Sequence, residues 1–294
     1  MKKLFIIILL VLLFGCQPSK AKILIPDGIP HIALGELYQK NFHVDCVSSV
    51  DILTSAFIKG EYDFIVAPIS LGASLYVREN INYKLALILT LTNMFIISRE
   101  KINNLYDLND KSILSFGKNQ PLDLCFQNII KTNELNVDVN YQNTINEVLP
   151  FFINKTYDYI LVTEPVLSNL LIKQELDIHV FNLSSYINVD FPIQAGVFIL
   201  NNTTYESSLK VIKKSVENCF RTGFSSSILT DSMSYQVSGV PVINSVIQNA
   251  NIVYIEANDR KEDIEEYFKF INNSNPNILG NKIPDDDFYY IWIY

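Results

Sequence analysis

An internal repeat constrains this chain more than any other feature of its sequence. Residues 57–65 (FIKGEYDFI) align without gaps with residues 152–160 (FINKTYDYI), 95 positions later. Each copy has the pattern of a helix end, a tight polar turn, a Tyr-Asp pair and a buried strand, and Pro68 or Pro165 then marks the start of another helix. Strand and helix patterns that occur twice predict two similar α/β lobes.

A weaker echo supports the same division of the chain. Residues 23–34 and 113–124 each contain a short strand, a loop with glycine and proline, and a helix. Two longer β-rich runs, 84–98 and 194–200, interrupt the alternation, and we expect them to cross between the lobes. In open α/β sheets ligands bind outside the carboxyl ends of the strands, so two such edges facing each other predict a cleft.

The amino terminus has the pattern of an export signal. Lys2 and Lys3 precede the continuously apolar residues 4–14, which are too few to span a bilayer but suit a secretory signal. The following Leu13-Phe14-Gly15-Cys16 resembles the bacterial lipoprotein box, so Cys16 is predicted to be the lipidated first residue of the mature protein. The alternative is a plain secreted protein in which this cysteine occurs by chance.

These patterns divide the chain into five predicted units. They are a lipoprotein signal peptide at 1–15, a tether at 16–21, the first part of lobe 1 at 22–95, lobe 2 at 96–190, and a return segment that completes lobe 1 at 191–294.

The charge of the chain excludes one large class of partners. It carries 31 acidic and 23 basic residues, a net charge of -8, and loss of Lys2 and Lys3 with the signal makes this about -10. Nucleic-acid binding needs a basic patch, and this sequence has none. We therefore expect no nucleic-acid partner.

The remaining cysteines give neither a zinc signature nor a disulfide framework. Cys46, Cys125 and Cys219 are far apart, and no CxxC pair occurs. Each lies in an apolar stretch, which favours small buried side chains, while one disulfide among the three stays open. The motifs of serine hydrolases, P-loop proteins, zinc proteases and dinucleotide-binding proteins are also missing. We expect no catalytic residue, no metal and no cofactor.

Loops that lead into helices carry the candidate binding residues, because helix N-termini present unpaired N–H groups. Hydroxyls, amides and a lone histidine in these loops and on the crossing segments add further polar groups. The candidates are Asp27, Gly28, His31, Ser70, Thr92, Asn93, Gly117, Gln120, Thr163, Glu164 and Gln194. Structural roles are the alternative: Ser70 as a helix cap, His31 as a core histidine, and Gln194 as a backbone partner beside Gly196.

The expected ligand is small and either neutral or cationic. None of the four arginines falls in a predicted cleft loop, whereas Asp27, His31 and Glu164 do. Arginine suits carboxylate and sulfonate ligands, so its absence there disfavours an anion, although helix N-termini alone can hold one. Glu164 would pair with an amine or a protonated ring nitrogen, or it would complement a helix N-terminus.

Several segments, in order, carry a resemblance to a known family. They are residues 26–34, the turn at 59–63 with Pro68, the run 105–113, Asp158 with Glu164-Pro165, Gln194-Ala195-Gly196, and the closing run 280–289. Over about residues 22–290 the chain resembles the type II periplasmic solute-binding proteins of ABC importers, in the branch of NMT1/THI5-like and sulfonate- or nitrate-binding proteins.

The resemblance implies a two-lobed periplasmic-binding-protein type II fold and capture of a small molecule without catalysis. It also implies a monomer on the extracytoplasmic side of the membrane, held by its lipid anchor, with an ABC permease and ATPase as partners. Two alternatives stay open. One is a fold-related enzyme of pyrimidine-precursor metabolism, and the other is a surface lipoprotein that binds a macromolecule.

Overall fold

Two separate β-sheets form the frame of the molecule. The structure is a computed structural model and describes residues 20–173, 177–201, 206–221 and 240–291. The predicted export signal and Cys16 lie outside this part of the chain. Within the described ranges, no helix has both the length and the apolar character needed to cross a membrane.

The larger sheet has six strands in the order β11-β4-β10-β3-β1-β2. The strand β1 pairs in parallel with β2 and β3, whereas β10 is antiparallel to both β3 and β4, and β11 is antiparallel to β4. The strands are β1 (Ala21–Pro26), β2 (Phe42–Val47), β3 (Phe64–Pro68), β4 (Tyr83–Leu91), β10 (Ile193–Leu200) and β11 (Ile252–Glu256).

The smaller sheet has five strands in the order β7-β6-β8-β5-β9. The strand β6 is parallel to β7 and β8, whereas β5 is antiparallel to β8 and β9. The strands are β5 (Phe95–Ser98), β6 (Ser112–Phe116), β7 (Asp138–Gln142), β8 (Tyr159–Val162) and β9 (His179–Asn182).

Both predicted α/β lobes contain a mixed sheet. Each sheet joins a parallel part, built from strand-helix units, to an antiparallel part. The antiparallel pairs involve the strands next to the crossings, β4, β5, β9 and β10. The chain leaves the larger sheet through β4 and returns to it through β10, and it enters the smaller sheet through β5 and leaves it through β9. The two strands of each pair therefore run in opposite directions.

Nine α-helices cover the sheets in the described ranges. They are α1 (Ile29–Ala33), α2 (Val50–Lys59), α3 (Ile69–Glu79), α4 (Pro121–Thr132), α5 (Ile145–Ile153), α6 (Val166–Lys173), α7 (Glu206–Cys219), α8 (Val240–Asn249) and α9 (Lys261–Ser274).

The repeat in the sequence is a repeat in the structure. Helix α2 ends at Gly60, which has a left-handed φ of 66°, and the chain then enters β3. Helix α5 is followed by the same turn, with Lys155 at a φ of 60°, and the chain then enters β8. Both strands lead through a proline into a helix, α3 or α6.

The largest hydrophobic core is shared by both sheets. It contains side chains from α2, α3 and α9 on the larger sheet and from α4 on the smaller sheet, for example Phe57, Phe126 and Phe268. A second core lies between the larger sheet and α1, α7 and α8, and a third lies between the smaller sheet and α5 and α6. The two sheets are therefore joined by packing as well as by the chain.

The chain passes between the sheets at two adjacent points. Residues 92–94 connect β4 with β5, and residues 183–192 connect β9 with β10. The two connections are bonded to each other, because Thr92 N–H donates to the Pro192 carbonyl at 2.7 Å and Met94 N–H donates to Ser184 Oγ at 2.9 Å. The domain boundaries expected from the sequence stay a prediction.

Candidate functional site

A cavity of about 260 Å³ lies at the carboxyl edge of the larger sheet. The ends of β1, β2, β3 and β4 and the start of β10 meet at this edge, which is where the chain crosses to the smaller sheet. The cavity is lined by Pro26, Asp27, Pro30, Val47, Ser48, Ser49, Val50, Leu53, Pro68, Thr90, Gln194 and Ala195.

Two buried polar atoms in the wall of this cavity have no hydrogen-bond partner within the part of the chain that the structure describes. They are Thr90 Oγ1 and Gln194 Oε1. Thr90 is completely buried on β4, and its backbone pairs with that of Ala195, next to Gln194 on β10. Buried polar groups without a partner cost free energy, so an arrangement that leaves two of them in one cavity is suited to a polar ligand.

A larger, open groove of about 460 Å³ lies at the other end of β4, between Tyr76, Asn80 and Asp287. It is away from the carboxyl edge of the sheet, and buried atoms without a partner do not line it among the described residues. The smaller cavity is therefore the better candidate for a specific site.

Asp27, His31 and Cys46 form a cluster beside the cavity. Cys46 Sγ lies 2.8 Å from Asp27 Oδ1 and 3.3 Å from His31 Nδ1, and the last two atoms are 3.8 Å apart. On the other side of the imidazole ring, the Tyr38 hydroxyl oxygen lies 2.8 Å from Nε2. His31 is completely buried, while the Asp27 side chain is 27% exposed and reaches the cavity.

Local backbone geometry places this cluster. Asp27 N–H donates to the Val47 carbonyl at 2.9 Å, which continues the β1–β2 pairing and brings Cys46 next to the end of β1. Gly28 then has φ 102° and ψ -140°, a conformation that side-chain-bearing residues rarely adopt, and helix α1 begins directly after it. This turn carries His31 back towards Asp27.

The surroundings shift the pKa values of the cluster. Burial lowers the pKa of His31, and the nearby Asp27 carboxylate opposes that effect. Burial and the hydrogen bond to Asp27 raise the pKa of the Cys46 thiol to about 12. Burial also raises the pKa of Tyr38. In the protein alone, the imidazole is therefore neutral and the thiol keeps its proton near neutral pH.

The Glu164 carboxylate lies at the contact between the two lobes. Its Oε2 accepts from Ser168 N–H at 3.1 Å, and its Oε1 lies 2.8 Å from Ser168 Oγ and 3.0 Å from Asn249 Nδ2. Its own N–H donates to Asn93 Oδ1 at 2.7 Å. Both oxygens thus have protein donors in this conformation, so the structure does not favour the ligand role predicted for Glu164.

The structure brings only some of the other predicted site residues to the cavity. Gln194 and Asp27 line it, and Gly28 lies beside the other lobe, where a Cβ atom would be 4.0 Å from Pro165 Cδ. Ser70 is the second residue of α3, whose cap is Pro68, so the helix-cap alternative for Ser70 is wrong. Outside the cavity lining lie Ser70, Thr92, Asn93, Gly117, Gln120, Thr163 and Glu164.

The sequence interpretation missed the position of Cys46. It was expected to be a buried apolar side chain, but it is half-buried and bonded to Asp27. Cys125 and Cys219 are buried as expected, and all three of these cysteines are free, so the disulfide left open does not occur among them. The available signal was the apolar stretch that contains Cys46, since this stretch forms β2 and ends at the same edge of the sheet as Asp27.

Comparisons with known proteins bear on the fold. No protein-family model matches the sequence, and no curated protein matches it. Solved structures do match: an ABC transporter protein of Parabacteroides distasonis has a TM-score of 0.79 at 20% identity and covers 93% of this chain and 99% of that one. The chain has the fold of the type II periplasmic binding proteins. The predicted two-lobed α/β fold is thereby confirmed.

Two further matches have the same periplasmic-binding-protein fold. The periplasmic aliphatic sulphonate-binding protein SsuA of Escherichia coli has a TM-score of 0.65 at 11% identity, with 95% of this chain and 97% of that one covered. The ligand-binding component of an ABC-type import system of Staphylococcus aureus, solved with zinc bound, has a TM-score of 0.61 at 12% identity, with 92% and 96% covered. Both are named as binding components, and neither is named as an enzyme.

Proposed function

We propose that this protein is an extracytoplasmic solute-binding protein that delivers a small polar molecule to an ABC importer. The observation that carries the proposal is the cavity at the carboxyl edge of the larger sheet. Thr90 Oγ1 and Gln194 Oε1 are buried in its wall and have no hydrogen-bond partner among residues 20–173, 177–201, 206–221 and 240–291. The binding-protein fold and the transport components that share it support the same function. Burying these two oxygens without hydrogen bonds costs free energy, and a polar ligand that donates hydrogen bonds to them would remove that cost.

The lining of the cavity favours a neutral or cationic ligand. Among the described residues that line it, Asp27 is the one ionisable side chain, and lysine and arginine do not occur. An anion would have to approach the Asp27 carboxylate without a compensating cation, which is electrostatically unfavourable. The sulphonate named for the Escherichia coli protein is therefore not the ligand that we propose here. The proposed ligand is a small amine or a neutral ring with nitrogen acceptors and donors.

The proposal includes the position of the protein in the cell. Cys16 would carry the lipid anchor, residues 16–21 would be the tether, and the lobes would comprise 22–95, 96–190 and 191–294. The monomeric protein would present its ligand to the permease, and the ATPase would drive import. Closure of one lobe on the other around a ligand is the general behaviour of periplasmic binding proteins.

Catalysis by Cys46 is not favoured by the geometry. A catalytic cysteine needs a base at the thiol and a carboxylate that orients the imidazole. Here the Asp27 carboxylate lies closer to the thiol than to the imidazole, at 2.8 Å against 3.8 Å, and the pKa of the thiol is raised to about 12.

Thermal-shift measurements on the full chain, purified in mild detergent, test the proposal. A ligand at 100 times its Kd stabilises a protein by about 2.7 kcal/mol, so a cognate amine or pyrimidine should raise the Tm clearly. Gln194→Ala should weaken binding by roughly 3- to 10-fold, the effect of one lost hydrogen bond. Gln248→Ala, at an exposed glutamine outside the cavity, is the matched control and should leave binding unchanged.

Two results would count against this function. One is a panel of amines, pyrimidines, sulfonates and nitrate that leaves the Tm unchanged, together with no small molecule released when the purified protein is denatured and analysed by mass spectrometry. The other is a Tm shift that Gln194→Ala does not reduce. A shift by sulfonates alone would keep the binding function and refute the proposed ligand charge.

A further inference from the structure

The cluster beside the cavity combines three different metal-ligating atoms from separate positions in the chain. They are a carboxylate oxygen of Asp27, Nδ1 of His31 and Sγ of Cys46, and all lie within 4.8 Å of one another. In the described part of the chain, this is the one group of three or more such side chains. Asp27 and His31 flank the Gly28 turn, and Cys46 comes from the neighbouring strand β2.

The distances between these atoms suit a tetrahedral ion. Bond lengths of about 2.0 to 2.3 Å to oxygen, nitrogen and sulfur give ligand-to-ligand distances of about 3.3 to 3.6 Å. The observed distances are 2.8 Å for Sγ to Oδ1, 3.3 Å for Sγ to Nδ1, and 3.8 Å for Nδ1 to Oδ1. An ion that replaces the thiol proton needs the Sγ–Oδ1 distance to lengthen by about 0.7 Å and the Nδ1–Oδ1 distance to shorten by about 0.5 Å.

Tyr38 holds the imidazole in the orientation that such an ion needs. Its hydroxyl oxygen lies 2.8 Å from Nε2, where it can accept from Nε2–H. In that tautomer the lone pair of Nδ1 points towards Cys46 and Asp27. A hydrogen bond to the outer nitrogen of a metal-ligating histidine is the usual outer-shell arrangement in metalloproteins.

An ion can reach the cluster through the cavity, and its fourth coordination position would face the cavity. The Asp27 side chain is 27% exposed and lines the cavity, whereas His31 is completely buried behind it. Three protein ligands with one open position are typical of zinc sites that also bind a further molecule. Thiolate and imidazole ligands together select zinc-like cations over magnesium and calcium, which prefer all-oxygen sites.

We propose that Asp27, His31 and Cys46 bind a divalent transition-metal cation of the zinc class, with the fourth position open to the cavity. The proton of the Cys46 thiol leaves to solvent as the ion binds, and the thiolate becomes its ligand. This inference does not depend on the transport function, because it concerns the ion alone. A bound ion would compensate the charge of Asp27, so the ligand charge proposed above applies to the metal-free protein.

Cobalt(II) is the spectroscopic probe that tests the site. The full chain, without an affinity tag and kept reduced with a phosphine, is titrated with Co²⁺ and then with Zn²⁺. We expect one Co²⁺ per chain, a thiolate-to-cobalt charge-transfer band, and loss of that band when Zn²⁺ displaces the cobalt. Cys46→Ser should abolish the band, and Asp27→Asn should weaken Zn²⁺ binding more than 10-fold. Tyr38→Phe should weaken it by about 10- to 100-fold, as expected for an outer-shell partner.

Matched variants separate this site from other ligands in the chain. Cys125→Ser and Cys219→Ser remove the buried thiols, Cys16→Ser removes the predicted anchor residue, and His43→Gln removes an exposed histidine. All four should keep the band and the Zn²⁺ affinity. Near-UV circular dichroism checks that each variant is folded. A band that persists in Cys46→Ser, or Zn²⁺ affinity unchanged in both Cys46→Ser and Asp27→Asn, would overturn the proposal.

Discussion

In the ligand-free protein, Thr90 and Gln194 each bury an oxygen at a cost in free energy. Other polar residues in the cavity wall avoid this cost. Thr90 and Gln194 both have a buried oxygen that no described residue contacts through a hydrogen bond, whereas Ser49 in the same wall caps helix α2 by accepting from Asp51 N–H at 3.2 Å. An unsatisfied buried polar group costs about 1 to 3 kcal/mol. Such a cost is explained most simply if a ligand satisfies these groups in the bound state.

Replacing the Thr90 hydroxyl should raise the stability of the ligand-free protein and lower its affinity for the ligand. Thr90→Val keeps the shape of the side chain and removes the unpartnered oxygen, so the free energy of unfolding of the ligand-free protein should rise by about 1 kcal/mol. Ligand affinity should fall in the same variant. Urea denaturation measures the first effect and calorimetric titration the second.

The control for this substitution is Thr132→Val. The Thr132 hydroxyl donates to the Asn128 carbonyl at 2.7 Å on the exposed side of helix α4, so its removal should not stabilise the protein. Equal stability changes in both variants would mean that the Thr90 hydroxyl is not unsatisfied in solution.

Contacts between side chains on different strands could not be predicted from the sequence. Asp27 and His31 were recognised because they flank one Gly-Pro turn, so their proximity is local. Cys46 belongs to the same cluster only through the pairing of Ile25 with Cys46 between β1 and β2. Register between strands depends on the whole sheet, so no local pattern placed the thiol beside the imidazole.

At the level of elements, the two copies of the repeat have different residues at the equivalent left-handed position of the turn. Gly60 and Lys155 both have a left-handed backbone, with φ values of 66° and 60°. A side chain in that region costs about 1 to 2 kcal/mol, whereas glycine adopts it freely. The second copy therefore bears a local strain that the first copy avoids.

Exchanging the two residue types should change stability in opposite directions. Gly60→Ala should lower the free energy of unfolding by about 1 kcal/mol, since an added Cβ has room at 3.7 Å from Leu200 and only the backbone conformation is unfavourable. Lys155→Gly should raise it by up to about 1 kcal/mol. Urea denaturation of both variants gives the values.

Asn154→Gly controls for the general effect of introducing glycine. Asn154 has a φ of -79°, where glycine gains nothing and only makes the unfolded chain more flexible. This variant should be less stable than the parent protein. If Lys155→Gly is destabilised as much as Asn154→Gly, the left-handed turn does not carry the strain.

The elements themselves were largely predictable, and their directions were not. Gapless alignment of the two copies placed β3, β8 and the helices around them, because each is encoded by a local apolar pattern and a turn. The strands β4 and β10 were recognised as crossing segments, but a β-rich run does not encode the direction of its neighbours. Antiparallel pairing became visible only in the assembled sheet.

At the level of the whole molecule, Glu164 links the two lobes. It follows β8 of the smaller sheet, and its carboxylate bonds Asn249 at the end of α8, while Ser168 on α6 lies 2.8 Å from Ser245 on α8. Burial raises the pKa of Glu164, and the hydrogen bonds from Ser168 and Asn249 oppose that effect. These hydrogen-bonding groups carry no charge, so desolvation dominates.

The raised pKa of Glu164 predicts a pH dependence of stability with a definite sign. The folded protein binds the Glu164 proton more tightly than the unfolded chain does, so this group makes the protein most stable below the unfolded-state pKa. Stability is lost as the pH rises through the folded-state pKa. Each unit by which that pKa is raised corresponds to about 1.4 kcal/mol.

Glu164→Gln removes this titration and should gain stability relative to the parent protein as the pH rises from about 4 to 8. Urea denaturation at a series of pH values measures the difference. Glu61→Gln, at an exposed position, controls for the loss of one negative charge from the whole molecule. A difference between Glu164→Gln and the parent that stays constant over this range would contradict the predicted shift.

The place of β10 in the larger sheet has a consequence for how the protein is made. It lies between β3 and β4, yet it comes from residues 193–200, about two thirds of the way along the chain. A chain that emerges N-terminus first therefore presents β1 to β3 and β4 separately, and the strand that joins them emerges only after all five strands of the smaller sheet. This order disfavours premature folding of the N-terminal part, and under the proposed export the unfolded chain would be the form that passes through a narrow translocation pore.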